Sequence, residues 1–121
     1  MKSYLKAVTA PLVLLSATSG TIAEGRLPTL VVPSDPSATY EAMSAKLRQD
    51  HKVEIVTKRR GRSGVSFSKR LVDCVAGTAK YLGDGDSLEE MERSKPDKNM
   101  TKPVQGSITF YVASYACAHG K

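Results

Sequence analysis

The fold is decided by residues 52–74, KVEIVTKRRGRSGVSFSKRLVDC, a stretch in which two alternating segments flank a glycine-containing centre. From 52 to 58 the β-branched and apolar residues recur at every second position, which is typical of a strand with one buried face. The centre, 59–64, contains Gly61 and Gly64, which can adopt positive φ. The stretch therefore predicts a β-hairpin whose loop is 59–64.

The second strand of this hairpin begins at residue 65. Its alternation turns Phe67 and Leu71 to one side, with Arg70 facing away. At Cys74 the chain either ends this strand or bends into a third one, residues 75–82. These segments together predict a small antiparallel meander.

Upstream of the hairpin, the sequence predicts a short lead-in and then a helix. The apolar patch at 30–32 is typical of a lead-in segment or a short edge strand. Asp35 suits an N-cap and Pro36 the first helical position. The residues that would share one helical face are Tyr40, Met43 and Leu47. We expect this helix to end near Gln49.

Downstream, residues 83–86 predict a turn, and Ser87 with Glu90 forms a capping box that begins a short helix. The polar, proline-containing residues 94–104 predict a surface loop. The last element, 107–117, is compatible with a helix or with a strand, because its spacing is helical but its β-branched and aromatic content suits a strand. The helix is preferred, with its N-cap at residue 107.

The N-terminus has the three parts of a secretory signal peptide. Lys2 and Lys6 provide positive charge, residues 7–17 are mostly apolar, and Ala23 is a small residue suited to cleavage. The apolar run of about 11 residues is much shorter than a membrane-spanning helix. We expect residues 1–23 to be removed, leaving one domain in the periplasm or outside the cell.

The chain has two cysteines, Cys74 and Cys117. In an exported protein such a pair is expected to form a disulfide. Closing a loop of this length stabilises by about 4 kcal/mol on the chain-entropy model. The alternative is a pair of free thiols, and the C-x-x-C spacing of redox enzymes is absent. The expected fold is α+β: a small antiparallel β-meander packed against two or three helices, with one disulfide.

Charge is unevenly distributed along a chain of formal net charge +6. Residues 46–70 have nine basic and two acidic side chains, whereas 84–97 have six acidic and two basic ones. The expected partner-binding residues are those at the hairpin tip: Lys58, Arg59, Arg60 and Arg62. The corresponding partners are an acidic polysaccharide, an anionic lipid headgroup or an acidic protein. The alternative is a loop that charge merely keeps solvated.

Nucleic acid is a less suitable partner, because no aromatic residues alternate with these arginines to stack on bases. Catalytic and metal-binding patterns are also incomplete. The segment 61–65 lacks the last glycine of a nucleophile elbow, and His51 and His119 have no evident catalytic partners. Residues 84–90 lack the glycine of a calcium loop. We expect a monomeric protein that is not an enzyme and has no catalytic residues, metal or cofactor.

Three segments together resemble the surface-adhesin protein E type of small exported bacterial domain. They are KVEIVTKRRGRSGVSFSKRLVDC, KYLGDGDSLEE and GSITFYVASYAC, which cover roughly residues 52–117. The resemblance implies a compact α+β domain, a disulfide from the meander to the terminal helix, and binding of host or envelope molecules. A lipid-anchoring cysteine near the N-terminus is missing, which favours a soluble product.

The expected function is that of an exported, non-enzymatic binding protein, adhesin-like or associated with the envelope. It would contact an anionic partner through the basic hairpin. The alternative is a periplasmic inhibitor or chaperone-like protein that acts on another protein.

Overall fold

One antiparallel sheet of five strands organises the chain, and each strand pairs with the next along the sequence. The computed structural model describes residues 27–121, so the predicted signal peptide at 1–23 lies outside the described residues. The strands are β1 (Thr29–Leu30), β2 (Thr39–Leu47), β3 (Lys52–Gly61), β4 (Gly64–Asp73) and β5 (Thr78–Gly85). The helices are α1 (Leu88–Arg93) and α2 (Ile108–His119). The predicted α+β meander is confirmed, and the apolar lead-in provides β1, a short edge strand.

The predicted helix over 36–49 is wrong, because most of this segment forms β2. Asp35 does not cap a helix; its Oδ2 accepts a hydrogen bond from the Tyr40 hydroxyl at 2.6 Å. Backbone hydrogen bonds from Asp35 N to Val32 O and from Ala38 N to Asp35 O form turns instead. The aspartate-proline pair therefore turns the chain into a strand.

A β-bulge interrupts the alternation of β2, and the predicted helical face of Tyr40, Met43 and Leu47 is not a buried face, because Leu47 is 56% exposed. The register shifts between Ala42 and Ser44, which leaves Met43 as the extra residue. Tyr40 and Ala42 are buried in the core on one side of the bulge, and Ala45 packs against the core on the other. The bulge converts a period of two into a mixed spacing of two and three.

The β3–β4 hairpin is confirmed, with continuous pairing from Lys52 opposite Asp73 to Gly61 opposite Gly64. Its loop is shorter than the predicted 59–64, because Arg62 and Ser63 alone form the turn. Gly64 has a φ of 115°, a conformation that a residue with a side chain rarely adopts.

Helix α2 covers one face of the sheet, which confirms the helical interpretation of 107–117. The Ser107 side chain caps it by accepting a hydrogen bond from Phe110 N at 3.2 Å. Val112 and Ala116 are fully buried in the core that α2 forms with the sheet. The main sheet residues of this core are Leu30, Tyr40, Ala42, Val53, Ile55, Val72 and Ala79.

The Cys74–Cys117 disulfide is confirmed and joins the β4–β5 turn to the last part of α2, with Cα atoms 5.6 Å apart. Neither α1 nor α2 has the length and apolarity needed to cross a membrane, and this finding concerns residues 27–121.

Helix α1 lies on the other face of the sheet and begins at the predicted capping box. Ser87 Oγ accepts a hydrogen bond from Glu90 N at 3.1 Å, and Glu90 Oε2 accepts one from Asp86 N at 2.9 Å. The predicted turn at 83–86 is wrong, because Gly83 and Gly85 lie in β5. A side chain at either glycine would overlap the backbone of α1, so these glycines allow the helix to approach the strand closely.

Both edges of the sheet are partly occupied by other backbone segments. At the β2 edge, Leu47 N donates to Lys121 O at 3.0 Å and Lys121 N donates to Ala45 O at 3.2 Å. At the β5 edge, Ala79 and Thr101 exchange two backbone hydrogen bonds. These contacts occupy backbone groups through which an edge strand could pair with another chain.

Candidate functional site

The predicted binding residues lie at the end of the sheet where β3 turns into β4, a region called here the hairpin end. Lys58, Arg59 and Arg60 belong to β3 rather than to the predicted loop. Arg62 occupies the two-residue turn and is exposed. The structure therefore places these four cations together along one strand and its turn.

Strand alternation divides the cations between the two faces of the sheet. Lys58 and Arg60 lie on the face opposite α2, whereas Arg59 lies on the same face as α2. The Lys58 Nζ is 5.8 Å from the centre of the Phe67 ring, within the range of a cation–π contact. The Arg60 Nε is 3.1 Å from Glu41 Oε1, and its side chain remains 54% exposed.

Arg59 is part of a hydrogen-bonded set that fastens the β1–β2 connection to β3. Its Nε lies 2.8 Å from Asp35 Oδ2 and 3.2 Å from the Tyr40 hydroxyl. The hydrogen bond from Arg59 is the main cause that holds the pKa of Asp35 below its ordinary value, and the hydrogen bond from Tyr40 is the second. Burial, followed by the hydrogen bond to Asp35, raises the pKa of Tyr40. Arg59 thus has a carboxylate partner within the protein.

Other cations of the basic segment also have carboxylate partners. Arg48 Nη2 lies 2.9 Å from Glu54 Oε2, and Lys69 Nζ lies 2.5 Å from Glu92 Oε1 in α1. The second pair joins the basic segment to the acidic one. The local charge of the folded surface is therefore smaller than the sequence count suggests. Within residues 27–121, the basic-segment cations that form no ion pair are Lys46, Lys52, Lys58, Arg62 and Arg70.

Arg70 was expected to face away from the buried side, and this prediction is wrong. It lies on the face that α2 covers and is only 2% exposed. Its three guanidinium nitrogens donate to the hydroxyl oxygens of Thr109, Thr57 and Tyr81 at 3.2, 3.2 and 2.7 Å. Its guanidinium carbon is also 4.4 Å from the centre of the Tyr81 ring. A sequence signal for the burial of Arg70 was available in Val72. This residue lies two positions further along β4, on the same face, and is buried.

The two histidines lie in different elements. His51 lies in the β2–β3 turn at a φ of 59°. The His119 ring stacks on Tyr115 near the end of α2, with centres 4.3 Å apart. Over the described range, no three His, Cys, Asp or Glu side chains are grouped as a metal ion requires.

An open, mainly apolar cleft of about 270 Å³ lies beside the disulfide. Its walls include Val72, Pro103, Phe110 and Ala113. At its edge, Asp73 Oδ1 accepts hydrogen bonds from the backbone N–H groups of the β4–β5 turn, at Val75 and Ala76. The Ala76 hydrogen bond is the main cause of the lowered pKa of Asp73. The end of the sheet with this cleft and the disulfide is called here the disulfide end.

No family model, no curated protein and no solved structure matches this chain.

Proposed function

We propose that this chain is an exported, non-enzymatic binding domain and that its hairpin end contacts an anionic partner. The observation that carries the proposal is the placement of Lys58 and Arg60 on one face of β3, next to exposed Arg62 in the turn. Two strand residues of the same face are about 6.6 Å apart. The three cations can therefore contact neighbouring negative groups of one partner.

The contacts of Arg59 give it a different role in this proposal. Its guanidinium holds Asp35 and Tyr40 on the other face of the sheet, so it positions the hairpin and does not contact the partner. We assign the binding contacts to Lys58, Arg60 and Arg62. Arg60 can release Glu41 without a large cost, because exposed ion pairs contribute at most about 1 kcal/mol.

A non-enzymatic role fits the causes of the displaced pKa values among the described residues. Asp35, Tyr40 and Arg59 share one hydrogen-bonded set, and Asp73 accepts hydrogen bonds from a turn. The displacements at Asp35, Tyr40 and Arg59 follow from contacts that hold two segments of chain together. The displacement at Asp73, beside the apolar cleft, follows mainly from a hydrogen bond within its own turn. Perturbed groups that serve catalysis are expected in a cleft beside a substrate, whereas the Asp35 set joins a turn to a strand.

Binding can be tested with heparin as the polyanion and with the oxidised protein. The variant Lys58→Gln, Arg60→Gln, Arg62→Gln should bind about tenfold more weakly or worse, because each exposed contact contributes up to about 1 kcal/mol. A matched control, Arg93→Gln, Lys95→Gln, Lys98→Gln, has the same change in net charge at exposed positions elsewhere. Binding by the control should remain close to that of the unmodified protein and should weaken as salt rises.

Equal losses in the two triple variants would reject the hairpin as the contact and leave a general effect of net charge. Vesicles containing an anionic phospholipid, compared with heparin, identify which class of anionic surface the hairpin prefers. Binding to neither probe by the unmodified protein would count against both partners.

Export is supported by the disulfide, because such bonds persist mainly in oxidising compartments. The intact mass of the protein in each cell fraction, before and after reduction, tests this part of the proposal. An exported chain without residues 1–23, lighter by two hydrogens until reduced, is the expected result. A full-length cytoplasmic chain with two thiols would overturn it.

The second candidate is a periplasmic inhibitor or chaperone-like protein, and the cleft at the disulfide end favours it. The turn beside this cleft exposes 79% of Val75, and the adjoining loop exposes 76% of Val104. Apolar contacts of this kind persist at high salt, whereas the hairpin contacts weaken. A stoichiometric protein partner retained from envelope extract at high salt, and lost in Val75→Asp but not in the hairpin triple variant, would support this candidate.

A further inference from the structure

Arg70 is a buried cation whose charge is not neutralised by any carboxylate in the described part of the chain. Removing a charged group from water is costly, and in folded proteins the cost is usually offset by an opposite charge. Three neutral hydroxyl groups satisfy the hydrogen-bonding geometry of Arg70 but supply no negative charge. We expect a buried cation with only neutral partners where a bound anion from outside the protein supplies the negative charge.

Two of the residues that bear these hydroxyl groups also line a cleft. Tyr81 and Thr109 line an open cleft of about 270 Å³ between the start of α2 and the loop that follows α1. The other polar residues of its lining are Lys80, Asp97, Thr101, Lys102 and Ser107. The cleft is distinct from the hairpin end and from the apolar cleft beside the disulfide, although Lys102 lies between the two clefts.

The direction of the hydrogen bonds determines whether Tyr81 and Thr109 can donate to a ligand. A hydroxyl group has one donor hydrogen and can also accept. The oxygens of Tyr81 and Thr109 accept from Arg70, so their own hydrogens remain able to donate. Among residues 27–121, neither hydroxyl is found donating to another group. Hydrogen bonds in series polarise one another, so the guanidinium makes both hydroxyl groups stronger donors.

The cleft therefore joins several groups that attract negative charge. It has two polarised hydroxyl donors with Arg70 behind them, Lys102, and the first turn of the twelve-residue helix α2. Asp97 opposes them as one acid against Lys102 and Arg70. The positive end of a helix also favours an anion.

We propose that this cleft binds a tetrahedral oxyanion, a phosphate or sulfate group, and that Arg70 acts through the hydroxyl groups of Tyr81 and Thr109. The oxyanion accepts from these two hydroxyl groups and lies near Lys102. Arg70 itself stays buried and compensates the charge of the bound group. This site involves none of the residues assigned above to the hairpin contact, so either proposal can fail alone.

The test measures inorganic phosphate binding to the oxidised protein by calorimetry and by the midpoint of thermal unfolding, at constant ionic strength set with chloride. One site per chain and a saturable rise of the midpoint are expected, because a ligand of the folded state stabilises it. Arg70→Met should abolish the saturable rise. Its midpoint in chloride alone should not fall greatly, because an apolar side chain of similar size removes an uncompensated buried charge.

Two milder variants keep the proposal testable if Arg70→Met does not fold. Tyr81→Phe and Thr109→Val each remove one donor to the anion and should each weaken phosphate binding about tenfold, the usual effect of losing a hydrogen bond to a charged group. The matched control is Arg93→Met, which removes an exposed arginine in the last turn of α1 and should leave phosphate binding unchanged.

Glycerol phosphate and inorganic sulfate, measured in the same way, distinguish an esterified phosphate group from a free anion. Tighter binding of the ester assigns the site to a group on a larger molecule, and tighter binding of the inorganic ions assigns it to a free anion. The absence of any saturable response to all three ligands would overturn the proposal. Equal phosphate affinity in the unmodified protein and in the double variant Tyr81→Phe, Thr109→Val would also overturn it.

Discussion

The two ends of the sheet are held by different kinds of interaction. At the disulfide end, a covalent bond joins the β4–β5 turn to α2, and Lys121 continues past the helix to pair with β2. At the hairpin end, Asp35 and Arg59 form an ion pair, the Tyr40 hydroxyl is hydrogen-bonded to both, and α1 lies against two glycines of β5. One end therefore depends on a covalent bond and apolar packing, and the other on charge and close backbone approach.

This difference separates a stable scaffold from a surface suited to binding. The covalent end should respond little to salt, whereas exposed charges are screened by it. Cations at the hairpin end are also exposed enough to leave a carboxylate of this protein and bind a negative group of a partner.

Loss of the disulfide should have the largest effect. The double variant Cys74→Ser, Cys117→Ser should lose about 4 kcal/mol of unfolding free energy, because the bond closes a loop with a sequence separation of 43. Denaturant unfolding followed by circular dichroism measures this loss. A loss below about 1 kcal/mol would show that packing of α2 on the sheet already fixes the disulfide end.

The next largest effect concerns the packing of α1 against β5 at the hairpin end. Gly83→Ala should cost about 2 kcal/mol, because the new methyl group would overlap the backbone oxygen of Met91 and force the helix outward. The control is Gly61→Ala, which meets the end of the Arg59 side chain, a group that can move. Thermal unfolding measures both. Equal costs would contradict the role assigned to close approach of α1.

The sequence predicted the elements in which local pattern and tertiary packing agree. The period of two in 52–58 gave β3, and the capping residues Ser87 and Ser107 marked the starts of both helices. The two cysteines predicted the bond between the meander and α2. For β3 and α1 one local rule was sufficient, whereas for α2 the helical spacing had to be preferred over a β-branched and aromatic content that also suits a strand.

The errors lie where tertiary contacts override local chemistry. Asp35 followed by proline has the chemistry of a helix start, but its carboxylate is used by Arg59, a residue distant in sequence. The bulge at Met43 changes the strand period, and no local signal predicts it. Arg70 was assigned outward because it alternates with Phe67 and Leu71, and the hydroxyl partners that permit its burial come from β3, β5 and α2. For the candidate site, the sequence identified the cations but not their ion pairs.

A smaller effect is expected from the hydroxyl group at the centre of the hairpin-end ion pair. Tyr40→Phe should cost about 1 kcal/mol, because Asp35 loses one of its two hydrogen-bond donors. The pKa of Asp35 is lowered in the folded protein, so its contribution to stability is complete above the unfolded pKa and is lost as pH falls through the folded value. The variant should therefore lose less stability than the unmodified protein when pH falls below about 4.

The control for this pH dependence is Asp35→Asn, which should remove the acid-range contribution of the hairpin end. Part of the dependence should remain, because the pKa of Asp73 at the disulfide end is also lowered. Thermal unfolding from pH 2 to pH 7 provides the measurement. An unchanged pH profile in Asp35→Asn would show that Asp35 does not contribute to it.

The smallest effect is a gain in stability at the disulfide end. Asp50 and His51 are consecutive non-glycine residues with φ of 62° and 59°, a conformation that is strained for a residue with a side chain. His51→Gly should stabilise by about 0.5 kcal/mol, because relief of about 1–2 kcal/mol of strain exceeds the entropy cost of glycine. The backbone hydrogen bond from Cys74 N to His51 O does not need the side chain. His51→Ala is the control and should show no gain, because alanine keeps the strain. A lower stability of His51→Gly than of His51→Ala in denaturant unfolding would contradict this prediction. The backbone conformation at His51 would then not be a source of strain at the disulfide end.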